Sequence, residues 1–366
     1  MTSINNFKTY SEKPIILLVV ILFCLSLLEI GLRIMGWMPS NMTDGIFVQH
    51  GTSYRLGKNI EKLTQWPSFS YVTYTDSFGF RDKKYAERNI NEKPYFVFLG
   101  ASAVFGNGVN YEDSFVGIFA DSLTEHGIEV LNLAVGGHNF ADQEALFIDF
   151  TKNISRKPSK VFLCLNPLFI YNFDCKHQNI IVKNGYLLNE KAWRTGYIRL
   201  ILGNISSAYC FIRNNIRTLH AKRIKSYVNI DSQYLLMYSK HGKMHDSNII
   251  KHFEGYLQRF EQYCDQIGST PIYVYIPVID SFSLNKNLLK LGKDPGDYDV
   301  SFYEKFLERY CKDKKITFLN PKPILKDLYD KGIPLKFIQD AHYNQFANRA
   351  VGEYISNQIF LKEKID

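Results

Sequence analysis

Residues 95–108 read YFVFLGASAVFGNG and carry the strongest indication of the fold. Tyr95–Leu99 is a wholly apolar, β-prone run, and a run without polar alternation is typical of a strand that is covered on both faces. Four further runs of this kind read IEVLNLAV (128–135), KVFLCL (160–165), PIYVYIP (271–277) and ITFL (316–319). Helical patterns lie between them, notably at 247–267 and 298–313. This alternation predicts an α/β three-layer sandwich with a parallel, roughly five-stranded sheet.

The N-terminal stretch from Pro14 to Met38 is almost entirely apolar. As a helix, these 25 residues would span about 37 Å, which is enough to cross a bilayer. Glu29 and Arg33 are four residues apart, so they share one helix face and can pair. No small-residue cleavage site follows, and no polar stripe suggests a buried core helix. The stretch therefore predicts an uncleaved transmembrane signal anchor at 14–38 rather than a signal peptide.

Charges around this stretch indicate its orientation. Lys8 and Lys13 precede it, whereas no Lys or Arg directly follows Met38. Basic residues are enriched on the cytoplasmic side of membrane spans. We expect a single-pass protein with residues 1–13 in the cytoplasm and the remainder outside, in the periplasm or at the cell surface.

Composition excludes several classes of protein. Of the 366 residues, 46% are hydrophobic, which supports a substantial core. The formal net charge is +8. The basic residues are densest at 213–225, where their spacing is typical of a solvated helix face or of a rim near an anionic membrane. Nucleic-acid binding is therefore not expected. Six scattered cysteines contain no C-x-x-C pair, which leaves one disulfide open and indicates no zinc site. Without a phosphate loop or a metal-ligand cluster, neither a cofactor nor a metal is expected.

The remainder of the chain divides into two parts. Residues 39–90 form a lead-in segment expected to be rich in loops, and 91–366 form the α/β domain. Within that domain, residues 176 to about 246 fit no strand–helix unit and are expected to form a mostly helical insertion. The insertion is either a cap that lines the substrate site or a structural subdomain.

Polar residues that follow the apolar runs locate the candidate site, because ligands bind beyond the carboxyl ends of parallel strands. Ser102 comes three residues after the first run, where it is either an exposed nucleophile or a helix cap. Gly136 and Gly137 follow the second run and form either part of an oxyanion hole or a plain turn. Asn166 directly follows the third run, as an amide donor or a turn residue.

Asp340 and His342 stand shortly before the last helical pattern. An Asp two residues before a His can accept the Nδ1 proton and leave Nε2 as the base that takes the proton of a serine. This pair by itself is weak, since chance and helix capping often produce it.

Taken together and in this order, these segments resemble the SGNH/GDSL hydrolase family, in its membrane-anchored bacterial form, from about residue 74 to the end. TDSFGFR (75–81) is similar to the family's lead-in segment. FLGASAVFGNGVNYEDSF (98–115) resembles the first block, EVLNLAVGGHNFADQ (129–143) the second, and DAHYNQFANRAV (340–351) the last. The resemblance implies an SGNH or flavodoxin-like fold, with Ser102, Asp340 and His342 as the catalytic triad. It also places Asn132 at the second block's Asn, and it places Ser102, Gly137 and Asn166 at the oxyanion hole.

Three features depart from the family pattern or stay open. Ala101 replaces the Asp of the G-D-S motif, so the hydrogen bonding near the nucleophile must differ. The third block, usually G-x-N-D, reads Leu165-Asn166-Pro167, and Asn172 is a second candidate for its oxyanion amide. His138 is interpreted as a rim histidine without a role, or else as a substrate contact.

The resemblance implies acyl transfer through an acyl-enzyme. The expected function is a membrane-anchored serine esterase that removes O-acyl groups, mainly acetyl, from a cell-envelope glycan or a related ester. An O-acyltransferase of the same fold, which would share every residue named, is the alternative. A catalytically silent glycan-binding or scaffold protein is the third possibility. Partners other than the substrate and the membrane are not indicated.

Overall fold

The computed structural model describes residues 5–35, 45–65, 69–171, 180–223, 232–242, 246–337 and 340–363. The chain divides into two compact units. The first comprises Met1–Thr43, Thr64–Pro67 and Lys191–Tyr227, and the second comprises Asp44–Leu63, Ser68–Glu190 and Val228–Asp366. Part of the expected insertion therefore groups with the N-terminal helix rather than with the α/β domain.

The elements follow one another in the order expected of an α/β chain from residue 95 onwards. The strands are β1 Phe47–His50, β2 Ser53–Leu56, β3 Glu61–Gln65, β4 Ser70–Thr75, β5 Arg81–Asp82, β6 Tyr95–Leu99, β7 Glu129–Asn132, β8 Lys160–Leu165, β9 Ile180–Lys183, β10 Tyr186–Asn189, β11 Thr270–Tyr275 and β12 Thr317–Leu319. The α-helices are α1 Asn5–Ile34, α2 Ser102–Phe105, α3 Phe115–Ser122, α4 Phe140–Lys152, α5 Pro167–Tyr171, α6 Trp193–Ile205, α7 Ser207–Arg223, α8 Ser232–Tyr238, α9 Ser247–Gln266, α10 Leu284–Lys290, α11 Phe302–Lys314, α12 Lys322–Asp330 and α13 Gln345–Glu363.

The main sheet has eight strands in the order β12-β11-β8-β6-β7-β5-β4-β3. Its five parallel strands, β6, β7, β8, β11 and β12, are the five predicted apolar runs, so the predicted parallel sheet is confirmed. The lead-in segment, expected to be rich in loops, instead extends this sheet: β5 pairs antiparallel with β7, and β4 pairs antiparallel with β5. β1 and β2 form a separate antiparallel hairpin.

Helices cover both faces of the parallel strands, as the absence of polar alternation in those strands requires. Along β6, alternate side chains point to opposite faces: Tyr95, Val97 and Leu99 join one apolar cluster, and Phe96 and Phe98 join the other. The first cluster contains residues of α4, α9 and α11, and the second contains residues of α3, α12 and α13. This is the three-layer arrangement that was predicted.

In the first unit, α7 packs against both α1 and α6. The Pro14–Ile34 part of α1 is, by length and composition, a candidate membrane span, and a signal sequence would meet the same criteria. The insertion also contains the β9–β10 hairpin, which belongs to the second unit. Five of the six cysteines lie in the described ranges, where Cys24, Cys164, Cys264 and Cys311 form no disulfide; Cys175 lies outside the described residues.

Candidate active site

Strand register brings three of the predicted site residues to one edge of the sheet. β6 lies between β8 and β7, with Leu99 paired to Leu163 and Phe98 paired to Asn132. Ser102 and Asn166 are each three residues beyond the Leu99–Leu163 pair. On the other side, the Val135 N–H donates to the Gly100 carbonyl at 3.3 Å, and Ser102 and Gly137 each follow two residues later. The ends of β8, β6 and β7 thus present Asn166, Ser102 and Gly137 side by side.

Ser102 is the first residue of α2 and does not act as a helix cap. The capping position is Ala101, and no side chain caps this helix. Ser102 is partly buried, and in the described part of the chain its hydroxyl forms no hydrogen bond. Of the two sequence interpretations, the cap is therefore wrong, and the hydroxyl is available to a reacting partner.

Gly137 lies in a tight turn that only glycine tolerates. Its φ is +84°, in the left-handed region, and a Cβ there would lie 2.5 Å from the Tyr54 hydroxyl oxygen. Tyr54, from β2, donates its hydroxyl proton to the Gly136 carbonyl at 3.1 Å and holds the turn. Among the described residues, nothing accepts a hydrogen bond from the backbone N–H of Gly137 or of Ser102. Unpaired N–H groups at such a place meet the requirement of an oxyanion hole.

Asn166 lies at the expected strand end but is partly committed to local structure. Its Nδ2 donates to the Ile276 carbonyl at 3.2 Å, and its Oδ1 accepts from the Leu168 N–H at 2.9 Å. One amide proton remains for an oxyanion. The competing candidate, Asn172, lies outside the described residues.

Asp340 and His342 form the predicted pair. Asp340 Oδ1 accepts from His342 Nδ1 at 2.6 Å and from the His342 backbone N–H at 2.7 Å. Burial opposes ionisation of Asp340, but the hydrogen bonds and charge of His342, aided by Lys336, hold the pKa of this carboxyl below its usual value. An ionised Asp340 fixes the tautomer in which Nε2 carries no proton, as a general base needs.

A short bridge and a capping residue hold the loop that carries this pair. Lys336 and Tyr343 form an antiparallel bridge, and the Tyr343 hydroxyl donates to the Pro277 carbonyl beyond β11. Asn344 Oδ1 accepts from the Phe346 and Ala347 N–H groups and so caps α13. His342 is thus fixed on both sides in the chain, and 27% of its side chain stays exposed.

Asn107 was not among the residues predicted from the sequence. It connects the loop that follows Ser102 to the loop that carries Asp340 and His342. Its backbone N–H donates to the Ser102 carbonyl at 3.0 Å, and its Nδ2 lies 3.5 Å from His342 Nε2. Gly108 adds a second contact, because the Phe337 ring packs directly against it. The φ of Gly108 is +97°, and a Cβ added there would lie only 2.3 Å from the Phe337 ring. Asn107 therefore lies within hydrogen-bonding distance of His342 Nε2, and no Ser102–His342 hydrogen bond occurs in the described part of the chain.

Arg81, the last residue of the TDSFGFR segment, stabilises the loop that follows Ser102. Its buried guanidinium donates to the carbonyls of Phe105, Gly106 and Val109, which close the turn after α2. Asn132, at the end of β7, donates to the Val104 carbonyl at 2.9 Å. Buried carbonyls need such donors, so both residues position the Ser102 loop without facing the site.

His138 is not at the rim of the site, contrary to the sequence interpretation. It is 1% exposed, and its Nε2 donates to the Tyr54 carbonyl at 2.7 Å. The side chain turns inward because it satisfies a buried carbonyl of β2, so it ties the β1–β2 hairpin to the Gly136–Gly137 turn.

The chain was compared with protein families, with curated proteins and with solved structures. No protein-family model matches the chain, and no curated protein matches it either. Solved structures similar to it include a lipolytic protein of the G-D-S-L family from Veillonella parvula (13% identity, TM-score 0.38, covering 71% of this chain and 94% of that one). An acetylxylan esterase from Geobacillus stearothermophilus is 10% identical, with a TM-score of 0.41, and the match covers 73% of this chain and 94% of that one. An esterase from Pseudoalteromonas is 10% identical, with a TM-score of 0.36, and the match covers 73% of this chain and 98% of that one. At such identities, any catalytic role must be argued from the site itself.

Proposed function

We propose that this chain is a membrane-anchored serine esterase that removes O-acyl groups, acetyl foremost, from a cell-envelope glycan or a related ester. The observation that carries the proposal is the Asp340–His342 pair, formed at 2.6 Å and joined through Asn107 to the loop that begins with Ser102. In the proposed reaction, His342 Nε2 removes the Ser102 proton as Oγ attacks the ester carbonyl. The N–H groups of Ser102 and Gly137, with the second Asn166 amide proton, stabilise the oxyanion. The alcohol then leaves with the proton held by His342, and an acyl-Ser102 ester remains. Water, deprotonated by His342, hydrolyses this ester, and the acid leaves as Ser102 recovers its proton.

The N-terminal helix favours a particular class of substrate. An anchor with its C-terminal side outside the cytoplasm would hold the site beside the polymers of the cell envelope, which carry O-linked acyl groups on sugars. An O-acyltransferase would use the same residues and differ only in its acceptor. Supplying an acyl donor with and without a candidate glycan separates the two, because a transferase leaves the acyl group on the glycan and an esterase releases free acid.

Covalent labelling tests the assignment of the nucleophile. A fluorophosphonate probe should label the full-length protein in membranes, and Ser102→Ala should abolish the labelling, because only an activated serine reacts with this probe. His342→Ala should reduce labelling strongly. Ser247→Ala removes an exposed serine at the start of α9 and is the matched control, with labelling unchanged.

One observation favours the competing function, a catalytically silent protein: Asn107 lies within hydrogen-bonding distance of His342 Nε2, and no Ser102–His342 hydrogen bond occurs among the described residues. Absence of labelling in a protein that is folded by circular dichroism would support that function and sink the esterase. Ser102-dependent labelling would exclude it.

A further inference from the structure

The last two turns of the N-terminal helix α1 hold the junction between α6 and α7. Arg33 Nη2 donates to the carbonyl of Ile205, the last residue of α6, at 2.8 Å. The Glu29 carboxylate accepts from the backbone N–H groups of Ser207 and Ala208, which open α7, at 3.0 and 2.8 Å. Glu29 and Arg33 also pair with each other at 2.7 Å. One ion pair therefore serves both the end of α6 and the beginning of α7.

These contacts are of the kind that helix termini need in a low-water environment such as a membrane. Helix termini leave backbone N–H and C=O groups without intrahelical partners, and water usually satisfies them. In hydrocarbon each such group is costly unless protein atoms pair with it. Glu29 and Arg33 are the only charged residues between Pro14 and Ile34, and both make these contacts. Intramembrane charges are expensive, so partners of this kind are what such a pair requires.

The position of the pair along α1 gives its depth. Counted from Pro14 at 1.5 Å per residue, Glu29 lies about 22 Å and Arg33 about 28 Å along the helix axis. The hydrocarbon core of a bilayer is about 30 Å thick. In a membrane crossed by this helix, both residues would lie in the outer part of the core, near its boundary. The α6–α7 junction, which they contact directly, would lie at the same level.

α6 presents an aliphatic face that is exposed in the part of the chain that the structure describes. Ile198, Ile201, Leu202 and Ile205 follow the i, i+3, i+4, i+7 spacing of a single helix face and are exposed by 58, 43, 37 and 59%. On the other side of the helix, Gly203 is buried. An exposed aliphatic face that continues from the membrane end of an apolar helix indicates contact with lipid rather than with water.

Basic and aromatic residues border this face. Arg194 and Arg199 are exposed, and the Arg194 guanidinium lies 5.6 Å from the centre of the Trp193 ring. Trp at membrane boundaries and Arg beside anionic headgroups are typical of segments that lie in the interface. The charges thus favour a phospholipid surface over a second apolar protein as the occupant of this face.

We propose that the α6–α7 hairpin is a second membrane element, with the aliphatic face of α6 lying among the acyl chains of the outer leaflet beside α1. The inference rests on the anchoring given under the proposed function. It assigns part of the insertion to the lipid boundary instead of to a cap over the substrate.

Photocrosslinking to lipid tests this. Benzoylphenylalanine is placed at Ile198 or Ile201 of the full-length protein, in vesicles of phosphatidylethanolamine and phosphatidylglycerol, and lipid adducts are detected by mass. Leu22, on the apolar part of α1, is the control for anchoring. Leu289, a leucine of the second unit that is 66% exposed, is the matched control for an apolar position outside the hairpin.

We expect adducts at positions 198, 201 and 22 and none at 289. Adducts at 22 alone would overturn the inference and leave the anchor in place, whereas their absence at 22 would reject the anchoring itself. Equal adducts at 289 would also overturn it, since labelling would not be specific to the hairpin. Glu29→Ala should lower the yield at 201 but not at 22, with Glu190→Ala as its control; an unchanged yield would contradict the role of the ion pair.

Discussion

Asn107 is the residue of the candidate site at which a single added charge has the clearest expected effect. Its Nδ2 lies 3.5 Å from His342 Nε2, and its Oδ1 accepts from the Tyr71 hydroxyl at 3.3 Å. Asn107→Asp keeps the shape of the side chain and places a carboxylate beside the imidazole. A negative charge at this distance stabilises the protonated ring, and effects of this kind commonly amount to about 1 pH unit or more.

The expected result is an acid limb of the pH–rate profile that moves about 1 unit to higher pH, with lower activity at pH 7. The measurement is ester hydrolysis between pH 5 and 9, with Asn110→Asp as the control. Asn110 belongs to the same loop, but its side chain accepts from the Val72 N–H instead of facing the histidine. An unshifted limb in Asn107→Asp would contradict the assignment of His342, beside Asn107, as the general base.

Single residues were predictable where their partners are near in sequence. The Asp340–His342 pair was foreseen from two residues of separation, and the structure contains it. The inward turn of His138 depends on the Tyr54 carbonyl, 84 residues away, and the commitment of Asn166 depends on the Ile276 carbonyl, 110 residues away. No local pattern encodes partners at that separation, so these orientations could not be read from the sequence.

The turn between β4 and β5 contains a buried acid whose ionisation is unfavourable. Asp76 Oδ1 accepts from the Phe78 and Phe80 N–H groups, but burial, with the added charge of Asp82, raises the pKa of Asp76 to about 6. Between about pH 4 and 6, the folded chain therefore binds a proton that the unfolded chain has already lost. Stability consequently falls as the pH rises through this window and gains as the pH falls.

Asp76→Asn keeps an oxygen for both N–H groups and cannot ionise. Relative to this variant, the wild type should lose roughly 2.4 kcal/mol of stability on going from pH 4 to pH 7.5, since one pKa unit corresponds to about 1.4 kcal/mol and the unfolded carboxyl is still partly protonated at pH 4. Urea unfolding in detergent, followed by near-ultraviolet circular dichroism, measures the difference at both pH values. The exposed Asp313, replaced by Asn, provides the control. A wild-type-to-variant difference that is constant with pH would contradict the buried-acid assignment.

Among elements, the strands that were predicted differ physically from those that were not. β6 and β8 are buried on both faces and read as continuous apolar runs. β4, in contrast, reads SYVTYT and is buried only at alternate residues, and β3 reads EKLTQ. Short half-exposed strands resemble loops unless their partners are known, and β5 has only two residues. The antiparallel extension of the sheet was therefore missed, although the alternation in β4 was a usable signal.

At the level of the molecule, the two units have different relations to solvent. The second unit buries two large apolar clusters on either side of the sheet. In the first unit, most side chains of Pro14–Ile34 are exposed. An apolar surface of this extent is unfavourable in water. The proposed anchoring would account for this exposed apolar surface of α1.

Two basic residues at the start of α1 predict the orientation of the chain in a membrane. Lys8 and Lys13 favour a cytoplasmic N-terminus, so a phosphatase that is active only outside the cytoplasm should be active when it is fused after Asp366. A fluorescent protein that matures only in the cytoplasm should stay dark there. The matched control reverses the bias with Lys8→Gln, Lys13→Gln, Asn41→Lys and Thr43→Arg, and it should lower the phosphatase signal. A bright cytoplasmic reporter on the unaltered chain would place Ser102 inside the cell, and it would remove the argument for an envelope glycan while leaving the esterase chemistry intact.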